Sequence, residues 1–116
     1  VHLKGHVKNT FNYMKNSDVF VLSSLWEDPG FVIVEAAFSN LFVVSSNCPN
    51  GPKELLENGK AGILYESNKE NALFNSLIEF DKMENNQLMQ KKIILKKNTL
   101  KYSIFRHFKE LNKIIN

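Results

Sequence analysis

The spacing of apolar and polar positions divides the chain into two regimes. Two short runs, "DVFVLSS" (Asp18 to Ser24) and "LFVVSS" (Leu41 to Ser46), are continuously apolar rather than alternating. That is the pattern of strands covered on both faces, as in a parallel sheet. Between them, "FVIVEAAFSN" starts just after Pro29-Gly30 and ends at Asn40. Its length, its alanines and its closing asparagine predict a helix. Upstream, "VHLKG" reads as a further strand and "NTFNYMKNS" as a helix before Asp18. Downstream, "GPKELLENGKAGILY" predicts a turn, a short helix stopped at Gly59, and a strand at Ile63 to Tyr65. Beyond that point the period becomes helical. Leu73, Leu77 and Phe80 recur at one helical face, with Asn68 or Ser67 as a candidate cap, and Phe105, Phe108, Leu111 and Ile115 mark a final amphipathic helix.

Strands alternating with helices, then closing helices, predict an α/β unit: a Rossmann-like parallel sheet flanked by helices. No repeat, low-complexity linker or second hydrophobic unit interrupts it, and 116 residues supply one domain's core. No apolar run approaches the roughly 20 residues of a transmembrane helix, and no signal-peptide pattern opens the chain. A soluble, cytoplasmic protein is the expectation. The single Cys48 has no intrachain partner and no companion ligands, so it reads as a small core or loop residue rather than a metal ligand. Because the chain enters on strand-like residues at Val1 with no initiator methionine, it is expected to be a fragment.

Charge changes the picture in the last third. Residues 1–81 hold six lysines against ten acidic residues, a net −4, whereas residues 82–116 hold nine basic against two acidic, a net +7. A solvated helix face is the favoured explanation. Peripheral contact with an anionic membrane surface, at the inner face of the cell membrane, is the alternative. Nucleic acid is not expected as a partner, since "KKIILKKNTLK" has no interleaved stacking aromatics and no nucleic-acid motif accompanies it.

The candidate chemistry lies in "SLWEDPGFVIVEAAF". In parallel α/β sheets, ligands bind beyond the carboxyl ends of strands, where loops enter helices. Here the amides of Gly30, Phe31, Val32 and Ile33 are expected to be the open N–H groups of a helix start, which with the helix dipole favour an anion such as a diphosphate. Gly30 allows close backbone approach. Glu35, one turn deeper, is placed to accept both hydroxyls of a ribose, and Glu27 on the loop to meet the group beyond the phosphates. Spacing alone is weak evidence, because the chain has nine glutamates and an acidic residue early in a helix is favourable without any ligand. The strand, loop, glycine and helix context is what raises it.

At these residues a resemblance emerges. "SSLWEDPGFVIVEAAFSN" followed by "LFVVSSNCPNGPKELLENGKAGILYE" resembles the C-terminal donor-binding domain of GT-B retaining glycosyltransferases of family 4 (glycosyl transferases group 1), over almost the whole chain. The paired glutamates, the Gly-Pro-x-Glu turn and the Asn-Gly-x-x-Gly turn occur in the family's order. The resemblance implies that Glu35 binds the ribose, that Glu27 contacts the donor sugar as the catalytic-site carboxylate, and that Gly30, Phe31, Val32 and Ile33 hold the sugar and diphosphate. It puts Val7, in "GHV", near the nucleobase and makes the Gly51, Pro52 and Glu54 turn structural. It further implies a nucleotide-sugar donor such as a UDP- or GDP-sugar, a glycan or lipid-linked acceptor, retention at the anomeric carbon, a role in bacterial surface polysaccharide or lipopolysaccharide synthesis, and no metal.

Two departures stand out. Asp28 and Pro29 occupy a turn where the family often has glycine. The family's basic pair and its acceptor domain would lie upstream of Val1, so the chain alone is expected to be inactive and, with a bare sheet edge, to self-associate. Two further readings stay open: a GT-B nucleotide-sugar epimerase relative, which usually lacks the glutamate pair, and a non-catalytic nucleotide-binding or partner-docking module. His2, His6 and His107 read as structural or surface residues, and Trp26 as a packing residue of the loop, with lining of the donor pocket as the alternative.

Overall fold

The computed structural model describes residues 1–103 and Lys113. Its centre is a parallel sheet in the order β1 (Val19–Leu22), β2 (Phe42–Ser46), β3 (Ile63–Tyr65). Helices α1 (Phe11–Met14), α2 (Phe31–Phe38), α3 (Pro52–Leu55), α4 (Ala72–Lys82) and α5 (Asn85–Thr99) surround it, with 3₁₀ turns at Glu57–Gly59 and Leu100–Tyr102.

β2 is the middle strand and is buried along its whole length. Side chains alternate across a strand, so β2 feeds two cores. Val43 packs with Ile33, Ala36, Leu55, Leu56 and Leu95 from the α2, α3 and α5 side. Phe42 and Val44 pack with Ile63, Leu73 and Phe80 from the α4 side, where the Phe42 and Phe80 rings stand 5.1 Å apart. Each fully buried aliphatic side chain contributes roughly 1.5–3 kcal/mol. Gly62 lets β3 and the 3₁₀ turn close on this core, because a Cβ there would stand 2.6 Å from the Val43 carbonyl oxygen.

The chain leaves α2 through a left-handed Asn40 (φ 62°). The Leu41 amide donates to the Ala36 carbonyl and the Asn40 amide to that of Ala37, both at 3.0 Å. This double bond pattern is a Schellman closure, and it explains why the apolar run stops being helix at Asn40 and restarts as strand.

Four expectations change. Residues 1–5 form no strand among the described residues, and Val1 and Leu3 are exposed. A strand is held by a pairing neighbour, and the outer side of β1 offers none of its bonds to this segment. The helix expected over "NTFNYMKNS" is reduced to the single turn α1. β1, read as covered on both faces, is an edge strand with Val21 exposed. The cap of α4 is neither Ser67 nor Asn68 but Asn71, left-handed and without a side-chain capping bond. The expected helix marked by Phe105, Phe108, Leu111 and Ile115 lies outside the described residues.

Candidate donor site at the start of helix α2

The loop that follows β1 is anchored from the carboxyl ends of the other two strands. The Tyr65 hydroxyl, at the end of β3, donates to the Leu22 carbonyl at 3.1 Å. Ser46, the last residue of β2, donates to the Ser24 carbonyl at 2.5 Å. Burial, followed by the neighbouring Cys48, pushes the Tyr65 phenol up, so it remains a protonated donor. The exit of β1 is thereby held in register where the sheet edge meets the loop.

From Ser24 the chain runs through exposed Leu25 and Trp26 to the half-buried Glu27. Trp26 keeps 60% of its surface exposed, so it is a surface residue of the loop and not the packing residue expected. The Glu27 carboxylate accepts a hydrogen bond from the Ser24 hydroxyl at 2.5 Å. Its other oxygen, Oε2, lies 3.8 Å from the point a Cβ on Gly30 would occupy. The Asp28-Pro29 peptide is cis, and Gly30 caps α2 in a left-handed conformation (φ 81°, ψ 44°).

Beneath this loop lies the second glycine turn. Gly51, at φ 141°, sits so close to Pro29 that a Cβ would be 2.0 Å from the Pro29 carbonyl oxygen. Pro52 is buried next to it, and Glu54 pairs with Lys101. The Lys101 ammonium is raised in pKa by that hydrogen bond with Glu54 first, although its own desolvation works the other way. The turn read as structural therefore underpins the loop that enters α2.

At the start of α2, no intramolecular bond engages the amides of Gly30, Phe31 or Val32 among the described residues. The Ile33 amide, expected to be open, donates instead to the Gly30 carbonyl at 3.0 Å, and the Ile33 side chain is wholly buried. A tight first turn closes the fourth donor, which leaves three for a ligand. Phe31 is exposed, with its ring edge-on to Tyr102 at 5.9 Å. Glu35 lies one turn further on the same side of α2 as Phe31 and Val32. It is half-buried, and no hydrogen bond or ion pair engages its carboxylate among the described residues.

Val7 does not join this constellation. It lines an apolar cleft of about 310 Å³ with Tyr13, Met14, Val19, Phe20 and Leu41, at the amino ends of β1 and β2 and so at the opposite end of the sheet from Glu27. Its segment pairs with no strand, so nothing carries it to the carboxyl edge. A second cleft, about 690 Å³, lies between α4 and α5 and includes no residue of the 24–35 segment. Its Lys91 is committed to the Gly59 and Gly62 carbonyls at 2.6 and 3.2 Å. His2 and His6 are exposed, Cys48 is buried, and His107 lies outside the described residues. Among the described residues, no helix is long and apolar enough to cross a membrane.

A loop leaving a central parallel sheet, a glycine cap and a helix start with open amides define a Rossmann-like layered α/β unit. Comparison with known proteins narrows the class. The sequence profile described as Glycosyl transferases group 1 matches residues 1–81, and the chain belongs to that family. It is 42% identical over 67 residues to a UDP-Gal:alpha-D-GlcNAc-diphosphoundecaprenol alpha-1,3-galactosyltransferase of Escherichia coli, covering 58% of this chain and 17% of that protein. It is 30% identical over 86 residues to an N-acetylgalactosamine-N,N'-diacetylbacillosaminyl-diphospho-undecaprenol 4-alpha-N-acetylgalactosaminyltransferase of Campylobacter jejuni, covering 72% of this chain and 24% of that protein. A glycosyltransferase from Rickettsia africae superposes with a TM-score of 0.79 at 18% identity, over 95% of this chain and 30% of that one. The fold is thus the Rossmann-like C-terminal architecture of GT-B glycosyltransferases, in part. The matched segments span less than a quarter of the length of these curated relatives.

Ser24, Ser46, Tyr65 and Tyr102 were not singled out from the sequence. Hydroxyl residues ending each strand were the available signal for the first three. Tyr102 carries none, since its contact with Phe31 joins positions 71 apart.

Proposed function

We propose that this chain is the donor-binding part of a family 4 glycosyltransferase. It takes the sugar of a nucleotide sugar, and the whole enzyme passes that sugar with retention to a glycan or lipid-linked acceptor in bacterial surface-glycan synthesis. The observation that carries the reading is the start of α2. Three amides without intramolecular partners lie between Glu27 and Glu35, and neither carboxylate is consumed by an ion pair among the described residues. A diphosphate satisfies the amides and the helix dipole, a ribose satisfies Glu35, and the transferred sugar lies against Glu27.

In the reaction the bond from the anomeric carbon to the diphosphate oxygen breaks, and its electron pair leaves on the nucleoside diphosphate. A bond from the anomeric carbon to an acceptor hydroxyl oxygen forms, and the hydroxyl proton ends on the departing diphosphate. The Gly30, Phe31 and Val32 amides stabilise the charge that develops there, a role that needs no metal ion. The two relatives named above act on diphosphoundecaprenol-linked sugars according to their names, which favours a lipid-linked acceptor.

The test is a transfer assay on the intact protein with UDP-galactose, UDP-N-acetylglucosamine and GDP-mannose, against a polyprenyl-diphosphate-linked sugar acceptor. Formation of an α-linked product by one donor is expected. Epimerised donor would favour the epimerase relative, and nucleotide binding without turnover would favour a docking module.

The partner surface carries two further predictions. On α5 and its 3₁₀ extension, exposed Met89, Ile93 and Leu100 form one stripe beside Lys92, Lys96 and Lys97, and residues 85–103 contain no acidic side chain. The chain is expected to co-sediment with vesicles containing phosphatidylglycerol and not with pure phosphatidylcholine. Changing Lys92, Lys96 and Lys97 to glutamine should remove most of that binding, since each basic residue contributes about 1 kcal/mol near an anionic surface. Separately, β1 presents an edge with no paired strand on its outer side among the described residues. The 116-residue chain is expected to self-associate, with an apparent mass by light scattering above 13.4 kDa that rises with concentration.

A further inference from the structure

We infer that Ser24 is a positioning residue for the Glu27 carboxylate, and that Ser46 holds Ser24 in place for that task. The inference rests on the donor-site reading above and concerns how one of its two carboxylates is aimed.

Glu27 sits on a loop, and a glutamate side chain with three rotatable bonds on a loop has no fixed direction of its own. Here it has one. The Ser24 hydroxyl, three residues earlier, donates to Oε1. With Oε1 occupied, Oε2 is the oxygen turned toward Gly30, at 3.8 Å from its virtual Cβ, and so toward the start of α2. A single hydroxyl therefore decides which carboxylate oxygen meets the ligand.

The hydroxyl can do this only if Ser24 itself does not move. Its carbonyl accepts the Ser46 hydroxyl at 2.5 Å, and Ser46 is wholly buried at the end of the central strand. One residue further back, Tyr65 fixes the Leu22 carbonyl. The sequence of contacts runs from the rigid carboxyl ends of β2 and β3, through the backbone of residues 22–24, to the Ser24 hydroxyl and the Glu27 carboxylate. Positioning of this kind, by neighbours that are themselves locked, is what a carboxylate acting on one defined sugar hydroxyl requires.

A merely structural Ser24 would behave differently from a positioning one. The open amides of Gly30, Phe31 and Val32 belong to the same loop and helix start, so a loop disturbed as a whole would lose its diphosphate as well as its sugar. A misdirected Glu27 would lose only the sugar.

The experiment is calorimetric titration of the intact protein with UDP-galactose, UDP-N-acetylglucosamine and GDP-mannose, each paired with the bare nucleoside diphosphate. Wild type, Ser24→Ala, Ser24→Thr, Glu27→Ala and the Ser24→Ala/Glu27→Ala double variant are compared. Ser24→Ala is expected to weaken binding of the preferred nucleotide sugar by roughly tenfold and leave the bare diphosphate unchanged. Ser24→Thr, which keeps the hydroxyl, should restore most of the loss, and Ser24→Ala should add nothing once Glu27 is alanine. Equal losses for sugar and bare diphosphate, or a full extra loss in the Glu27→Ala background, would overturn the inference while leaving the donor site intact. A Glu27→Ala variant that binds every nucleotide sugar as well as wild type would remove the donor-sugar role of Glu27, and the inference with it. If Ser24→Ala does not fold, Ser46→Ala carries the same test through the Ser24 carbonyl, with a smaller sugar-specific loss expected and no such loss contradicting it.

Discussion

Replacing Glu35 by alanine is expected to weaken nucleotide-sugar and nucleoside-diphosphate binding alike, by at least about a hundredfold. A carboxylate that accepts both ribose hydroxyls makes two charge-assisted hydrogen bonds, each contributing roughly 1.5–3 kcal/mol, and every 1.4 kcal/mol or so is a factor of ten in affinity. The fold should not register the change. Glu35 has no intramolecular partner among the described residues and is only half-buried, and alanine is the better helix former. Melting temperature within about 2 °C of wild type, with binding lost, is the expected pair of results. Glutamine at the same position keeps the shape and loses the charge, so it should fall between the two. Unchanged affinity in the alanine variant would take Glu35 out of the site.

Gly51→Ala is expected to act on the fold first. Its new methyl group would meet the Pro29 carbonyl oxygen at 2.0 Å and the carbonyl carbon at 2.8 Å. Both are backbone atoms that cannot swing aside. The backbone at φ 141° is also a conformation side chains disfavour. Overpacking and backbone strain each cost about 1–3 kcal/mol, so a loss of at least about 2 kcal/mol is expected in denaturant unfolding. Any relief must come from moving Pro29, and Pro29 leads directly into the Gly30 cap, so the folded fraction should also bind nucleotide less tightly. Gly59→Ala serves as the comparison. It too has a positive φ, at 96°, but nothing lies within 4 Å of its Cβ position, so it should show strain alone and leave the donor loop unaffected. Equal stability of the Gly51 variant and wild type would show that the two turns do not press on each other.

How much of this was legible in the sequence depends on what each residue answers to. β2 and α2 were readable because their neighbours in the chain carry the signal. "LFVVSS" is apolar on both faces because the strand is central, and Asn40 stops the helix by adopting a conformation that asparagine tolerates. "VHLKG" has the composition of a strand, yet composition does not supply a partner, and among the described residues it has none. Val7, which the resemblance put near the nucleobase, lines the apolar cleft beside Tyr13 and Leu41 in this structure. Glu27, Gly30 and Glu35 could be grouped because nine consecutive residues of one loop and one helix contain them all.

The closing of the Ile33 amide, by contrast, follows from how tightly the first turn winds. The Ser46 to Ser24 bond and the approach of Gly51 to Pro29 join positions 22 residues apart in each case, and the register of β1 against β2 creates the first of them. Sequence spacing alone does not contain that register. Trp26 stays exposed on the loop after β1 although its ring has the size of a core filler, because that stretch of the loop, Leu25 included, is exposed as well.

The start of α2 is proposed to hold the diphosphate of a nucleotide sugar. A titration of the ¹⁵N-labelled chain with UDP-galactose, and in parallel with GDP-mannose, followed through its backbone amide resonances, tests it most directly. Saturable shifts are expected for one donor, largest at Gly30, Phe31 and Val32, with Glu27 and Glu35 next and Ile33 much smaller because its N–H is already bonded. Shifts confined to the cleft between α4 and α5, or none with either donor, would contradict it.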